Sequence, residues 1–557
     1  MELFDSLESP KDSKKQKKKI ISDINLNRKL IYILCITIVI LVIFCIYLNY
    51  KINNKELIYK RININEIKQL SKKINDLNLK LNNLDDKFKK LSNQFIEFNS
   101  NIKIKKKEEN IQEEEIENNN KLILIKEKEN RLDEKNDSDK NEIICFYRIK
   151  RPHSSIKLFN FNLNTLYREE YLENLELYLD NKKISFKNEL LFNGTGTIML
   201  KIKIKNYFRY VNRLFSFNEH LIKVDLSNFK ASNVTSLHYF FLGCKNLKEI
   251  KGLNKINTGN VTDMSHMFSD CICLTSLDLS NFDTSKVTNM EYMFKDCSSL
   301  KSIKGLNYFN TYNVIDMSHM FDNCNCLTSL DLSNFNTSKV ESMIYMFYKC
   351  SKLKTLSINN FVTNNLKNIK SIFSGCESLE SLDLSNFFLN NVPVMDFVFY
   401  GCSSLKEIKG LNNFINDKVV SMKYLFAKCS NIVSLDLSHF NTTNVNNMEG
   451  MFEGCTNLKE IKGLNNFVVN NTSFMDFMFK NCQSLEFLDL SNLVANKVFS
   501  LEFMFEGCSN LKLLNIYNFK LNKEYYIEGI FDGIKRDECK LIAQDEILKL
   551  FYYNFYS

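Results

Sequence analysis

Cysteine and histidine are the residues of this chain whose spacing could support chemistry. Eleven of the 17 cysteines (Cys244, Cys271, Cys297, Cys324, Cys350, Cys376, Cys402, Cys429, Cys455, Cys482 and Cys508) recur at intervals of 26 or 27 residues. Cys271 with Cys273 and Cys324 with Cys326 have the look of tight metal pairs, but no His stands at zinc-site spacing from either. His266 and His319 hold the same place two units apart, about 10 Å in a stack of coils, which is too far for shared ligation. Gly194-Thr195-Gly196-Thr197 lacks the Lys and third glycine of a phosphate loop and reads as a hairpin turn. No nucleophile, metal or phosphate constellation stands apart from the repeats, so the expectation is no catalytic residue, no metal, no cofactor and no enzyme. Interior thiols are expected to behave as small hydrophobes. Disulfides between adjacent coils stay open in an oxidising lumen, because the Cα spacing permits them.

The elements that carry these residues follow from the same period. Each repeat cysteine has Phe three residues before it and Leu or Ile three after. Extending the register places Phe215 with Asn218 before the first unit and Phe531 with Ile534 after the last. Within a unit, Leu274, Leu277 and Leu279 mark a short strand. Val287, Met290, Met293, Phe294 and Cys297 then fall on one face of an expected helix. The expected fold is an α/β solenoid: a right-handed, leucine-rich-repeat-like array of about 13 strand-helix coils. Its parallel sheet would run roughly 60 Å at about 4.8 Å per strand.

The outward strand positions read Asp225, Lys251, Asp278, Lys304, Asp331, Ser357, Asp383, Lys409, Asp436, Lys462, Asp489 and Asn515. In register they form a self-neutralising ladder, each exposed pair worth under ~1 kcal/mol, which also penalises a one-coil slip. The same residues are the candidate concave binding face, one that favours hydrogen-bonding ligands over strongly charged ones. Intervals of 27 follow only Cys244, Cys297, Cys402 and Cys455, whose units replace LDLSNF by IKGLN. The extra residue is expected to be Gly252, Gly305, Gly410 or Gly463 in a bulge, or else an insertion after the Asn. An Asn column after the strand, Asn281 and Asn334 among its members, is expected to bond backbone groups of neighbouring coils.

Ahead of the array, Leu30 to Leu48 has no charge and at 1.5 Å per residue spans about 28 Å, the thickness of a bilayer's hydrocarbon core. Lysines at 14, 15 and 17–19, with Arg28 and Lys29, outnumber the flanking charges beyond it. The N-terminus is therefore expected in the cytosol and the rest outside or in a lumen. Ile67, Leu70, Ile74, Leu77, Leu81, Leu84, Phe88, Leu91, Phe95 and Phe98 make an a/d heptad seam, expected to pair in parallel as a dimer or trimer. The organisation reads as a basic tail (1–29), a transmembrane signal anchor (30–50), a coiled-coil stalk (51–98), a charged spacer (99–141), a β-rich cap (142–205), the solenoid (206–534) and a C-terminal cap (535–557).

A formal charge of +9 invites a nucleic-acid reading, which its distribution rejects. Residues 1–29 carry 8 basic and 5 acidic groups, 51–141 carry 21 and 18, and 142–557 carry 45 and 42. None is a concentrated basic stripe. Asn-x-Ser/Thr sequons, Asn193 and Asn336 among them, permit glycosylation without showing it.

The motif LDLSNFDTSKVTNMEYMFKDCSSL, repeated with small changes from Leu221 to Leu511, resembles the BspA-type leucine-rich-repeat surface proteins, the mycoplasma lipoprotein-associated repeat class. The resemblance covers a little over half the chain and carries no catalytic residue. It implies a solenoid at a cell surface used in adhesion or ligand binding. The resulting expectation is a single-pass type II membrane protein. Its partners would be the bilayer, further copies of itself through the stalk, and an extracellular or luminal protein or glycan; nucleic acid is not among them. The alternative is an intracellular membrane-tethered scaffold with cytosolic repeats.

Overall fold

The computed structural model describes residues 140–159, 173–187, 189–205, 211–414, 417–495, 497–520 and 526–553. The membrane segment (30–50), the seam from Ile67 to Phe98 and most of the spacer lie outside them. Among the described residues no helix is long and apolar enough to cross a membrane.

The described part begins with β1 (Glu142–Ile149), β2 (Ser154–Lys157), β3 (Leu175–Leu179), β4 (Lys182–Ile184), β5 (Glu189–Phe192) and β6 (Gly196–Ile204). Strand β1, EIICFYRI, is buried on both faces except at Arg148. It runs antiparallel to β6 on one side and to β7 (Leu221–Asn228), the first strand of the array, on the other. The cap sheet, in order β4-β3-β6-β1-β7-β8, thus covers the open edge of the first coil. Asn218 stands where later coils carry Cys, and its amide donates to the Lys157 carbonyl at 2.9 Å, fastening coil to cap.

Strands then recur once per coil as β8 (Glu249–Lys251), β9 (Ser276–Asp278), β10 (Ser302–Lys304), β11 (Ser329–Asp331), β12 (Thr355–Ser357), β13 (Ser381–Asp383), β14 (Glu407–Lys409), β15 (Ser434–Asp436), β16 (Glu460–Lys462), β17 (Phe487–Asp489) and β18 (Leu513–Ile516), with β19 (Lys540–Ala543) beside the last. The body is a solenoid of about 12 turns. Its interior is a stack of columns. Thirteen phenylalanines from Phe215 to Phe531 form an unbroken ladder; Phe294 lies 5.4 Å from Phe321, and Phe505 6.2 Å from Phe531. Helix α1 (Glu546–Tyr553) ends the ladder: Tyr552 sets its ring edge-on to Phe531 at 5.1 Å and donates its hydroxyl to the Cys539 carbonyl at 2.8 Å.

Two expectations are corrected. The segment after each strand is not a helix. Met293, Lys295 and Cys297 donate their amides three residues back, to Met290, Tyr292 and Phe294, as in successive tight turns. The intervening amides leave the coil: Met290 donates to Asp316, Tyr292 to Ser318, Phe294 to Met320 and Asp296 to Asp322, all in the next coil. Sending every second amide outward requires a left-handed residue twice per coil, such as Tyr292 (φ 57°) and Asp296 (φ 59°). The apolar spacing of 3 and 4 is common to a helix and to this run of turns, so periodicity alone could not separate them.

The sheet is also not continuous. Strands pair two by two, β9 with β10, β11 with β12, β13 with β14 and β15 with β16. Leu279 donates forward to Lys304 in the partner strand, and the next amide along a strand points the other way. That amide, on Ser280, bonds the carboxylate of Asp278 at 3.1 Å instead of reaching the preceding coil. The same local bond occurs at Ser333, Ser385, Ser438 and Ser491. Each Asp thereby interrupts the ladder at its own coil.

All 15 cysteines among the described residues are free. The eleven column thiols donate to the carbonyl of the Phe in the preceding coil, as Cys271 does to Phe241 at 3.2 Å and Cys350 to Phe321 at 3.1 Å. Burial pushes Cys244, Cys350, Cys402 and Cys455 up to about 12, so none offers a thiolate at neutral pH. In the native chain a neutral alkylating reagent is expected to label half-buried Cys273 and Cys326 and to reach the column thiols only on unfolding. Peptide mapping with and without denaturant checks this; column labelling in native buffer would contradict it.

Candidate interaction surfaces

The outward strand residues come together in pairs across each two-strand unit. Asp225 lies opposite Lys251, Asp278 opposite Lys304, Asp331 opposite Ser357, Asp383 opposite Lys409, Asp436 opposite Lys462, and Asp489 opposite Asn515. Lys251 closes on Asp225 at 3.3 Å and Lys304 on Asp278 at 3.4 Å. Backbone pairing does not carry the column from the second strand of one unit to the first of the next.

The aspartates do more than neutralise lysines. Asp278, Asp331, Asp383, Asp436 and Asp489 hold their carboxyls below the usual range because the serine two residues on donates its hydroxyl or amide to them. They stay charged to lower pH in the folded chain than in the unfolded one. Their stabilisation is therefore complete above about pH 4, the unfolded carboxyl value, and is lost as pH falls through the lower folded value. The urea midpoint is expected to be flat from neutrality to about pH 5 and to drop below about pH 4. Asp436→Asn, which keeps the bond as Asn515 does to Tyr517 at 3.3 Å, should shallow that drop.

The paired coil closes differently. Gly252, Gly305, Gly410 and Gly463 follow their strands in the left-handed region, each leading a 3-10 turn. The glycine is the extra residue of the 27-residue unit. Its position also forbids a side chain: a Cβ on Gly305 would lie 2.5 Å from backbone atoms of Leu279 and Ser280. Asn281 and Asn334 donate their amides to the carbonyls of Asn254 and Asn307 in the preceding coil at 2.7 and 3.0 Å, a structural use of that column.

The turns carry a second ordered face that spacing alone did not reveal. His266 and His319 do not face each other: Tyr292 stacks between them at 4.3 Å from each. The column continues through Tyr239 on one side, under the Arg213 guanidinium at 4.6 Å, and Tyr345 on the other. Burial, and then the neighbouring His238, lower His266 to about 4, so it is neutral at physiological pH. His319 Nδ1 lies 2.8 Å from Asp322. The left-handed positions of the turns fall in two columns, this one filled by Tyr, His, Phe, Ser and Gly and a second, just before the cysteines, by Gly, Asp, Asn and Lys. A mixed Gly/Asn/Asp column such as Gly243, Asp270, Asp296, Asn323 and Gly375 is the sequence signal that marks it. Among the described residues no three His, Cys, Asp or Glu side chains are grouped to hold a metal ion.

Parallel coils of 26 or 27 residues, each with one short strand and an apolar interior, define a leucine-rich-repeat-like solenoid. The chain belongs to the family described as Mycoplasma protein of unknown function, DUF285, whose model matches residues 209–330, 300–414 and 420–541, together more than half of the sequence. Among solved structures, the chain is similar to one titled as the TLR13–ssRNA13 complex, at 16% identity and a TM-score of 0.17, over 52% of this chain and 50% of that one. It is also similar to one titled as the Drosophila Toll–Spatzle complex, at 16% identity and a TM-score of 0.22, over 54% of this chain and 45% of that one. The chain spans about half the length of each. No match to a curated protein is found.

Proposed function

We propose that this chain is a membrane-anchored binding protein whose solenoid presents its strand face, outside the cell or in a lumen, to a protein or glycan. The observation that carries the reading is the contrast between columns. Interior positions repeat as Phe, Cys and Leu in nearly every coil, while one exposed column at the start of the strand changes from Ser276 and Ser381 to Glu407, Glu460 and Phe487. Phe487 is 64% exposed. A constant frame with varying exposed chemistry suits recognition. The uncharged run from Leu30 to Leu48 supports the anchor, and the BspA-type resemblance supports surface adhesion.

The test is binding of the full chain to immobilised matrix proteins and glycans. A Glu407→Ala, Glu460→Ala, Phe487→Ala triple variant should lose at least about tenfold in affinity with its thermal midpoint unmoved. Unchanged affinity would remove the strand face as the site. Because most aspartates of this face lie opposite a lysine, binding is expected to survive about 0.5 M salt, and its complete loss would count against this surface. Digestion of the repeats by protease added to sealed vesicles with their cytosolic side outward would favour a cytosolic scaffold instead.

The heptad seam supports multivalency, in which two weak faces held together gain avidity of about 10²–10⁴. Leu77→Asp with Leu84→Asp is expected to give monomers by analytical ultracentrifugation; oligomers that persist would rule out the stalk.

A further inference from the structure

The turn face has a rule and two departures from it. The residue eight before each repeat cysteine is Asp, Asn or Ser except at Val394 and Phe474, and where it is Asp or Asn its oxygen accepts the amide two residues on. Asp263 accepts from Ser265 at 2.9 Å, Asp316 from Ser318 at 2.7 Å and Asn447 from Glu449 at 2.9 Å. Phe474 occupies this place in its coil. Asp476, two residues on, accepts the Glu502 amide of the next coil at 2.8 Å and also the Ser500 hydroxyl, as Asp396 accepts from Lys423 at 3.1 Å and from Ser421 in the coil that carries Val394. Phe474 therefore makes no such bond, and of the two departures it alone puts an exposed aromatic ring at this place.

Phe474 is 41% exposed, and its ring meets Phe499, 44% exposed, at 6.4 Å and 77°. Phe499 in turn meets Tyr526, 54% exposed, at 5.1 Å and 62°. Three aromatic rings from successive coils therefore form one exposed patch, of a kind concentrated at the centres of protein interfaces. Beside them runs an acidic column, Asp476, Glu502 and Glu528. Elsewhere on this face lysines answer the acids: Lys423 pairs with Glu449 and Lys480 with Glu506, each at 2.6 Å. Among the described residues no such pair forms with Glu502 or Glu528. Burial, then the neighbouring Asp476 and Glu528, push the Glu502 carboxyl upward. A cavity of 490 Å³ opens beside Tyr526, lined also by Glu502, Glu528, Phe531, Asp532 and Arg536, whose guanidinium lies over the Tyr552 ring at 5.7 Å.

We propose that this corner of the last coils docks an arginine-bearing segment of a partner protein. A guanidinium is planar, stacks on aromatic faces and pairs with carboxylates through a fork of donors, so it matches ring and acid together where an ammonium matches the acid alone. The inference rests on the solenoid being a binding module and assigns it a second surface, distinct from the strand face.

The test is calorimetric titration of the full chain with three synthetic peptides that alternate Gly with Arg, Lys or Glu. The Arg peptide should bind, weaken steeply with salt, and lose about tenfold in affinity with Phe474→Asn and with Glu502→Gln. Phe474→Asn restores the array's own residue type, so its thermal midpoint should hold. No binding of the Arg peptide, equal binding of the Lys peptide, or an affinity indifferent to both substitutions would each overturn the proposal. So would self-association through the patch that Phe474→Asn abolishes and the Arg peptide does not displace, which would make a second copy the occupant. The Glu407, Glu460 and Phe487 triple variant should bind the Arg peptide normally. Loss of matrix or glycan binding with the Arg site intact is therefore separable from the reverse.

Discussion

Gly305→Ala is expected to destabilise the array by about 3 kcal/mol or more, whereas Gly401→Ala should cost about 1–2 kcal/mol. Both glycines have positive φ, 98° and 71°, so both substitutions force an L-residue into the left-handed region. They differ in what lies above them. A Cβ on Gly401 would come no closer than 3.8 Å to another atom, while one on Gly305 would overlap the Leu279 and Ser280 backbone at 2.5 Å. Backbone cannot move aside without parting the two coils. Gly401→Asn should be nearly neutral, since Asn323 and Asn481 hold the same column at φ 60° and 58°. Urea titration followed by labelling of Cys297 and Cys324 for the first substitution, and of Cys376 and Cys402 for the second, checks the comparison. Equal effects at the two glycines would mean that coil-to-coil approach imposes no constraint.

Phe321→Ala should cost about 3–5 kcal/mol, because it deletes a fully buried ring and leaves a cavity the frame cannot collapse. Phe321 stacks on Phe294 at 5.4 Å and on Phe347 at 5.9 Å, so the gap interrupts the ladder near its middle. Coils of a solenoid contact only their neighbours, and the damage should stay local. The buried thiols report on it. Cys297, Cys324 and Cys350 are expected to become alkylated at lower denaturant than Cys482 and Cys508, as seen by peptide mapping. Simultaneous labelling of all five would show that the array unfolds as one cooperative unit.

The salient difference between sequence and structure lies at the turns. Val287, Met290, Met293, Phe294 and Cys297 are buried in the structure, and their spacing would have buried them equally in a helix. Which backbone the segment adopts depends on where alternate amides find acceptors, and those acceptors belong to a residue some 26 positions away. The Asp column shows the same limit. Its alternation with Lys was legible as a ladder, but not that each carboxylate captures its own chain's amide and breaks the sheet into pairs. The stacked His266–Tyr292–His319 column and the Phe474–Phe499–Tyr526 patch were equally hidden, since each forms only when residues a full coil apart are brought side by side.

By itself the sequence determined the length of each coil, the number of coils to within one and the identity of the interior columns. Any closed coil of 26 or 27 residues must turn its recurring Phe, Cys and Leu inward, away from water, whatever its backbone. Tertiary structure decided the rest. Whether amides bond within the coil or to the next one, and which exposed rings and charges become neighbours, are settled only once coil lies on coil.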